Sequence, residues 1–90
     1  MTRTPRTGVH CPVCGLDQGF EPWGADGLTP SFVICDCCSV EFGYEDSSDA
    51  GVAAVRVAWV GDGCPWRGPV DRRPEGWDPG EQLANGLKSR

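Results

Sequence analysis

Apolar positions in this chain follow two different periods, and the change between them divides it. Ser31-Phe-Val-Ile-Cys35 is a β-branched and aromatic run, and Val40, Phe42 and Tyr44 alternate with Glu41 and Gly43. Both patterns predict strands. With Val9 to Cys11 they predict a three-stranded antiparallel ribbon, its strands near 9–11, 31–35 and 40–44. From Asp49 onward the period lengthens: Val52, Val55, Ala58 and Trp59 follow at spacings of three and four. This predicts an amphipathic helix of about three turns, with Asp49 as N-cap and an end near Gly61 and Gly63. Asp78-Pro-Gly-Glu81 places a capping residue, a proline at the first helical position and an acid at the third, which predicts a short last helix to about Asn85, stopped by Gly86.

The remaining segments are punctuated by turn residues. Gly19, Pro22, Gly24, Gly27 and Pro30 make 17–30 read as loop, with Phe20 and Trp23 folding back on the core. Residues 64–77 read as loop too, yet Trp66 and Trp77 predict that it is pinned to the domain. Residues 1–8 read as a flexible tail, and 9–87 as one domain with a C-terminal helical extension. A chain of 90 residues buries only about 60–65% of its unfolded surface, so its core needs a staple.

The staple is legible in the cysteines. Cys11-Pro-Val-Cys14 and Cys35-Asp-Cys37-Cys38 are two C-x2-C turns separated by twenty residues, the pattern of a four-thiolate metal site. Cys11, Cys14, Cys35 and Cys38 are the expected ligands, and one structural Zn²⁺ the expected ion. Cys37 occupies an inner position of its turn, and Cys64 reads as a small buried hydrophobe. A four-thiolate zinc is coordinatively full, which points to structure rather than catalysis. No serine has a specific nucleophile–base partner, since His10 is the one histidine. The expectation is therefore a small α+β metal-bound domain, a zinc ribbon of two knuckles and a three-stranded sheet with one or two helices, and not an enzyme.

Charge bears on partners. The formal net charge is −5, and four thiolates around one Zn²⁺ make it more negative by two. No Lys or Arg stands between Arg6 and Arg56, a stretch that holds all four expected ligands and Asp17, Glu21, Asp26, Asp36, Glu41, Glu45, Asp46 and Asp49. Nucleic-acid binding rests on cations that neutralise phosphates, so direct nucleic-acid binding is not expected. Another protein, basic in charge, is the expected partner, with Glu41, Glu45, Asp46 and Asp49 mimicking phosphates. The first ten residues lack the apolar run of a signal peptide and no stretch reaches the length of a membrane span, so a cytoplasmic location is expected.

Two resemblances sharpen these expectations. The pair of knuckles in a small acidic chain is similar to rubredoxin, which implies an alternative: one iron on four thiolates, used for electron transfer. The spacer is shorter than is usual there. Ser31-Phe-Val-Ile-Cys35-Asp-Cys37-Cys38 followed by Glu41-Phe-Gly-Tyr-Glu-Asp46 resembles the bacterial cysteine-rich CPCC-type proteins, as do Cys11-Pro-Val-Cys14-Gly15, Glu21-Pro-Trp23 and Trp77 to Asn85. Asp36 and Ser39 depart from that family's Pro and Gly. This resemblance implies a bacterial zinc-ribbon protein, used as an acidic accessory or immunity protein. A separate alternative is a structural subunit of a larger bacterial assembly, into which Trp66 and Trp77 dock by hydrophobic contact.

Overall fold

A computed structural model of the chain describes residues 5–88. Its regular secondary structure is helical only: α1 (Asp49–Gly61), a single 3-10 turn (Val70–Arg72) and α2 (Pro79–Lys88). Among the described residues there is no strand, and pairing is limited to two isolated antiparallel bridges, His10 with Asp17 and Ile34 with Glu41. This overturns the three-stranded zinc ribbon. The CPCC-type resemblance, which implied that sheet, falls with it.

The reason lies in where the backbone bonds go. Residues 9–11 pair with 16–18, through Cys11 N–H to the Leu16 carbonyl at 2.9 Å and Gln18 N–H to that of Val9 at 2.8 Å. Residues 32–35 pair with 40–42, through Cys35 N–H to Val40 at 2.9 Å and Phe42 N–H to Val33 at 3.0 Å. Each knuckle thus closes on itself and nothing joins the two into a sheet. Phe32 also has φ 60°, in the left-handed region that breaks an extended ladder.

The two knuckles are near-copies of one another. Gly15 N–H donates to the Cys11 carbonyl at 3.0 Å, and Ser39 N–H to that of Cys35 at 2.9 Å. The residue after the second cysteine is left-handed in both, Gly15 at φ 85° and Ser39 at φ 66°. Glycine takes this conformation freely and serine does not. Ser39→Gly is accordingly expected to stabilise the domain by about 0.5–1 kcal/mol, raising the melting temperature by roughly 2–8 °C. Differential scanning calorimetry of the metal-loaded protein checks this, and a lower melting temperature would count against the shared knuckle geometry.

Both helices form where local signals place them. In α1 the N-cap is Ser48, one residue before the expected Asp49, its hydroxyl accepting from Gly51 N–H at 3.0 Å. Val52 and Trp59 are buried from its inner face. The Asp78 carboxylate accepts from Glu81 N–H at 3.1 Å at the start of α2. Gly86 is not a stop; α2 runs past it, and its absent side chain lets the helix lie on Gly15, whose Cα a Cβ at Gly86 would strike.

Loops complete the packing. Arg67 N–H and Gly68 N–H donate to the Cys37 and Asp36 carbonyls, laying 64–68 along the second knuckle. Trp66 and Trp77 meet edge to face at 5.4 Å and both pack against the buried core, which pins the tryptophan loop as expected. Residues 1–4 of the expected tail lie outside the described residues. Arg6 is held, its N–H bonded to the Gly27 carbonyl and its guanidinium 5.8 Å from the Trp23 ring. The radius of gyration, 12.3 Å, equals the roughly 12 Å of a compact folded chain this long, so the long loops are packed down. No helix among the described residues is long and apolar enough to cross a membrane.

Candidate metal centre

Among the described residues, five of the eleven buried hydrophobic ones are cysteines: Cys11, Cys14, Cys35, Cys37 and Cys38. Val13, Val40, Phe42, Trp23, Val52 and Trp59 surround them. The turn geometry of the knuckles aims two sulfurs from each toward one point. The structure brings together Cys11, Cys14, Cys35 and Cys38, whose four sulfurs all lie within 4.8 Å of one another. Across the cluster, Cys11 Sγ is 3.7 Å from Cys38 Sγ and Cys14 Sγ is 3.7 Å from Cys35 Sγ.

These distances test whether a metal fits. An ion bound tetrahedrally at about 2.3 Å from four sulfurs sets them about 3.8 Å apart. Disulfide sulfurs lie at about 2.05 Å, far inside the observed separations. The cluster is a four-cysteine site able to chelate a metal ion. Zinc and iron both accept a tetrahedral four-sulfur set, so the spacing by itself suits either.

As thiols, four groups this close share protons unequally. Hydrogen bonding with Cys11 comes first in pushing the Cys14 and Cys38 thiols well above the usual thiol range. Hydrogen bonding from Cys11 also comes first in pushing Cys35 well below it. Such a cluster exchanges its protons for a cation, and binding is therefore coupled to proton release.

Residues outside the cysteines orient this centre. Gln18 Nε2 donates to Cys35 Sγ at 3.3 Å, and Val13 N–H to Cys11 Sγ at 3.4 Å. Arg56, reaching from α1, donates to the Val13 carbonyl at 2.9 Å and to that of Pro12, which holds a positive charge over the first knuckle. Gln82 joins the two knuckles from α2: its Nε2 donates to the Cys14 carbonyl at 3.1 Å and to Cys37 Sγ at 3.4 Å. Its Oε1 in turn accepts from Trp77 Nε1 at 2.7 Å, which fixes the amide's orientation. Cys37 lies outside the four-sulfur set but is fully buried beside it, its thiol lowered first by hydrogen bonding with Cys14. Cys64 is half-buried, after the end of α1.

Gln18, Arg56 and Gln82 are not apparent from the sequence. Gln82 and Cys37 are 45 positions apart and Arg56 and Val13 43, and no local pattern encodes contacts of that range. The expected acidic group is also rearranged. Asp46 is fully buried, accepting from Trp23 Nε1 and from Gly43 N–H, each at 2.7 Å, so it is no phosphate mimic on the surface. Asp49 pairs with Arg6 at 3.1 Å. Glu41 and Glu45 stay at the surface, with Glu45 Oε1 accepting from Glu41 N–H at 2.9 Å. No protein-family model, curated protein or solved structure matches the chain.

Proposed function

We propose that this chain is a non-catalytic, metal-stapled module that binds another protein of basic character in the cytoplasm, with one structural Zn²⁺ on Cys11, Cys14, Cys35 and Cys38. The observation that carries the reading is the four buried sulfurs at tetrahedral spacing. Four thiolates fill the coordination sphere of zinc and leave no position for water or substrate. Their ion serves the fold, and what the protein does falls to its surface. Between Arg6 and Arg56 that surface has carboxylates and no Lys or Arg, which suits a cationic partner.

A second reading has an observation of its own. Side-chain and backbone amides donate to the sulfurs of Cys35 and Cys11, and such bonds tune the potential of iron held by thiolates. In this reading the centre is a one-iron electron carrier. Metal analysis of protein purified from its native host separates the two. One zinc per chain and a colourless solution support the structural reading. Iron with visible sulfur-to-metal absorption transfers the argument to electron transfer. Partner binding is tested by its response to salt: an acidic surface meeting a basic partner gives association that weakens steeply as ionic strength rises, and an indifferent complex would sink the electrostatic part of the proposal.

A further inference from the structure

The run 32–34, strand-like in composition, is one of the most apolar outer surfaces of the molecule. Phe32 is 59% exposed, Val33 43% and Ile34 57%, and Tyr44 nearby is 70% exposed. Backbone bonds between Phe32 and Phe42 and between Phe42 and Val33 hold them on one hairpin-like limb of the second knuckle. The Phe32 ring lies against Gly43, where a Cβ would come within 2.8 Å of its Cε1, and Tyr44 is the next residue in the chain. Single exposed apolar side chains are ordinary, but four exposed ones on two paired segments, two of them aromatic, mark an interaction surface.

Two further observations point the same way. Phe32 holds φ 60°, a left-handed conformation that is strained for a bulky residue. Strain of this kind is kept where the side chain has a task, and burial is not the task of a ring more than half exposed. The patch also has an acidic border. Glu41 faces Ile34 across the isolated bridge, and Glu45 is folded onto the Glu41 backbone. A second copy of the chain is a poor occupant, because facing patches would set these carboxylates against one another.

We infer that Phe32, Val33, Ile34 and Tyr44, bordered by Glu41 and Glu45, form the docking surface for a protein segment that presents apolar side chains flanked by Lys or Arg. The inference rests on the protein-binding reading above and assigns it a place. The apolar group supplies the contact area, and the two glutamates select for basic flanks and speed encounter. The second knuckle is then both half of the metal centre and the scaffold that presents the patch.

The test uses the full, metal-loaded chain and a phage-displayed random-peptide library. Clones selected on the parent are then compared on a Phe32→Asn/Ile34→Ser variant. Enriched peptides should combine Lys or Arg with aromatic or aliphatic residues. Titrated into the labelled protein, they should shift the amide resonances of Phe32, Val33, Ile34, Glu41 and Glu45. Phe32→Asn and Ile34→Ser should each weaken binding by about tenfold or more, and Glu41→Gln/Glu45→Gln should flatten its salt dependence. Asparagine accepts the left-handed conformation, so Phe32→Asn should melt no lower than the parent, which a residue kept for stability would not allow. Basic peptides that map to another face overturn this inference and leave the protein-binding reading standing. So does dimerisation of the chain through the patch. If no basic peptide is held anywhere on the molecule, the protein-binding reading falls as well.

Discussion

Stripping the metal is expected to unfold this protein rather than loosen it. Among the described residues, five of the eleven buried hydrophobic ones are cysteines, so the interior is in large part a sulfur cluster. Structural zinc in small domains contributes about 10–16 kcal/mol of apparent binding free energy. A 90-residue domain has a net stability of only about 5–13 kcal/mol, so loss of the ion removes about as much as the whole margin. Chelation by excess EDTA, or replacement of a ligand as in Cys35→Ser, should abolish the far-UV circular dichroism of α1 and α2 and release the ion. Full helical signal and an unchanged melting curve after complete removal would show that the core stands without metal.

Acid should act in the same direction. An ion bound there would hold its ligands as thiolates, so folding around it favours the deprotonated state. For groups lowered by folding, the stabilisation is fully present above the unfolded pKa and is lost as pH falls through the folded values. Up to four protons compete for each ion, and metal loss should therefore be steeper in pH than a one-proton titration. Titration of bound metal against pH, followed by a chromogenic chelator, measures that slope.

The second large effect is expected at Asp46→Ala. The buried Asp46 carboxylate accepts from Trp23 Nε1 and Gly43 N–H, both at 2.7 Å, which ties the 17–30 loop to the second knuckle's return limb. Alanine leaves both donors without this acceptor. An orphaned buried donor costs about 1–3 kcal/mol, so the substitution should cost roughly 2–5 kcal/mol in all. Asp46→Asn preserves the shape and one oxygen, and should fall between alanine and the parent. Urea unfolding of the metal-loaded variants gives the sizes, and the Trp23 indole N–H resonance should move upfield as its acceptor is lost. An alanine variant within about 0.5 kcal/mol of the parent, the usual range of an inconsequential surface change, would remove Asp46 from the core.

The two tests report on different contents of the sequence. The metal cluster is legible because a C-x2-C turn is a local object: four consecutive residues set the geometry of each pair of sulfurs, and the twenty-residue spacer lets the pairs meet. Asp46 is not legible. Nothing in Gly43-Tyr-Glu-Asp46 distinguishes a carboxylate destined for burial from Glu41 or Glu45 beside it, because its partner Trp23 is 23 positions away. The misplaced acidic group and the unseen Gln82 and Arg56 share this cause.

Local rules also account for both helices. A capping serine with apolar residues at three and four places α1, and Asp78 before Pro79 places α2, because helix bonds and caps span only a few positions. The ribbon failed for the complementary reason. Phe32, Val33 and Ile34 have every preference for a strand, but such preference expresses how well a side chain fits a pleated, half-buried surface, and that surface exists only if another strand supplies it. Here residues 9–11 bond to 16–18 instead, Phe32 turns left-handed, and the run is left at the surface. By itself the sequence determined the two knuckles, their four clustered cysteines and the two helices, all products of short-range geometry. Only the tertiary structure decided which carboxylate is buried, which amides face the sulfurs, and that the apolar run looks outward, since each depends on segments far apart in the chain competing for the same neighbours.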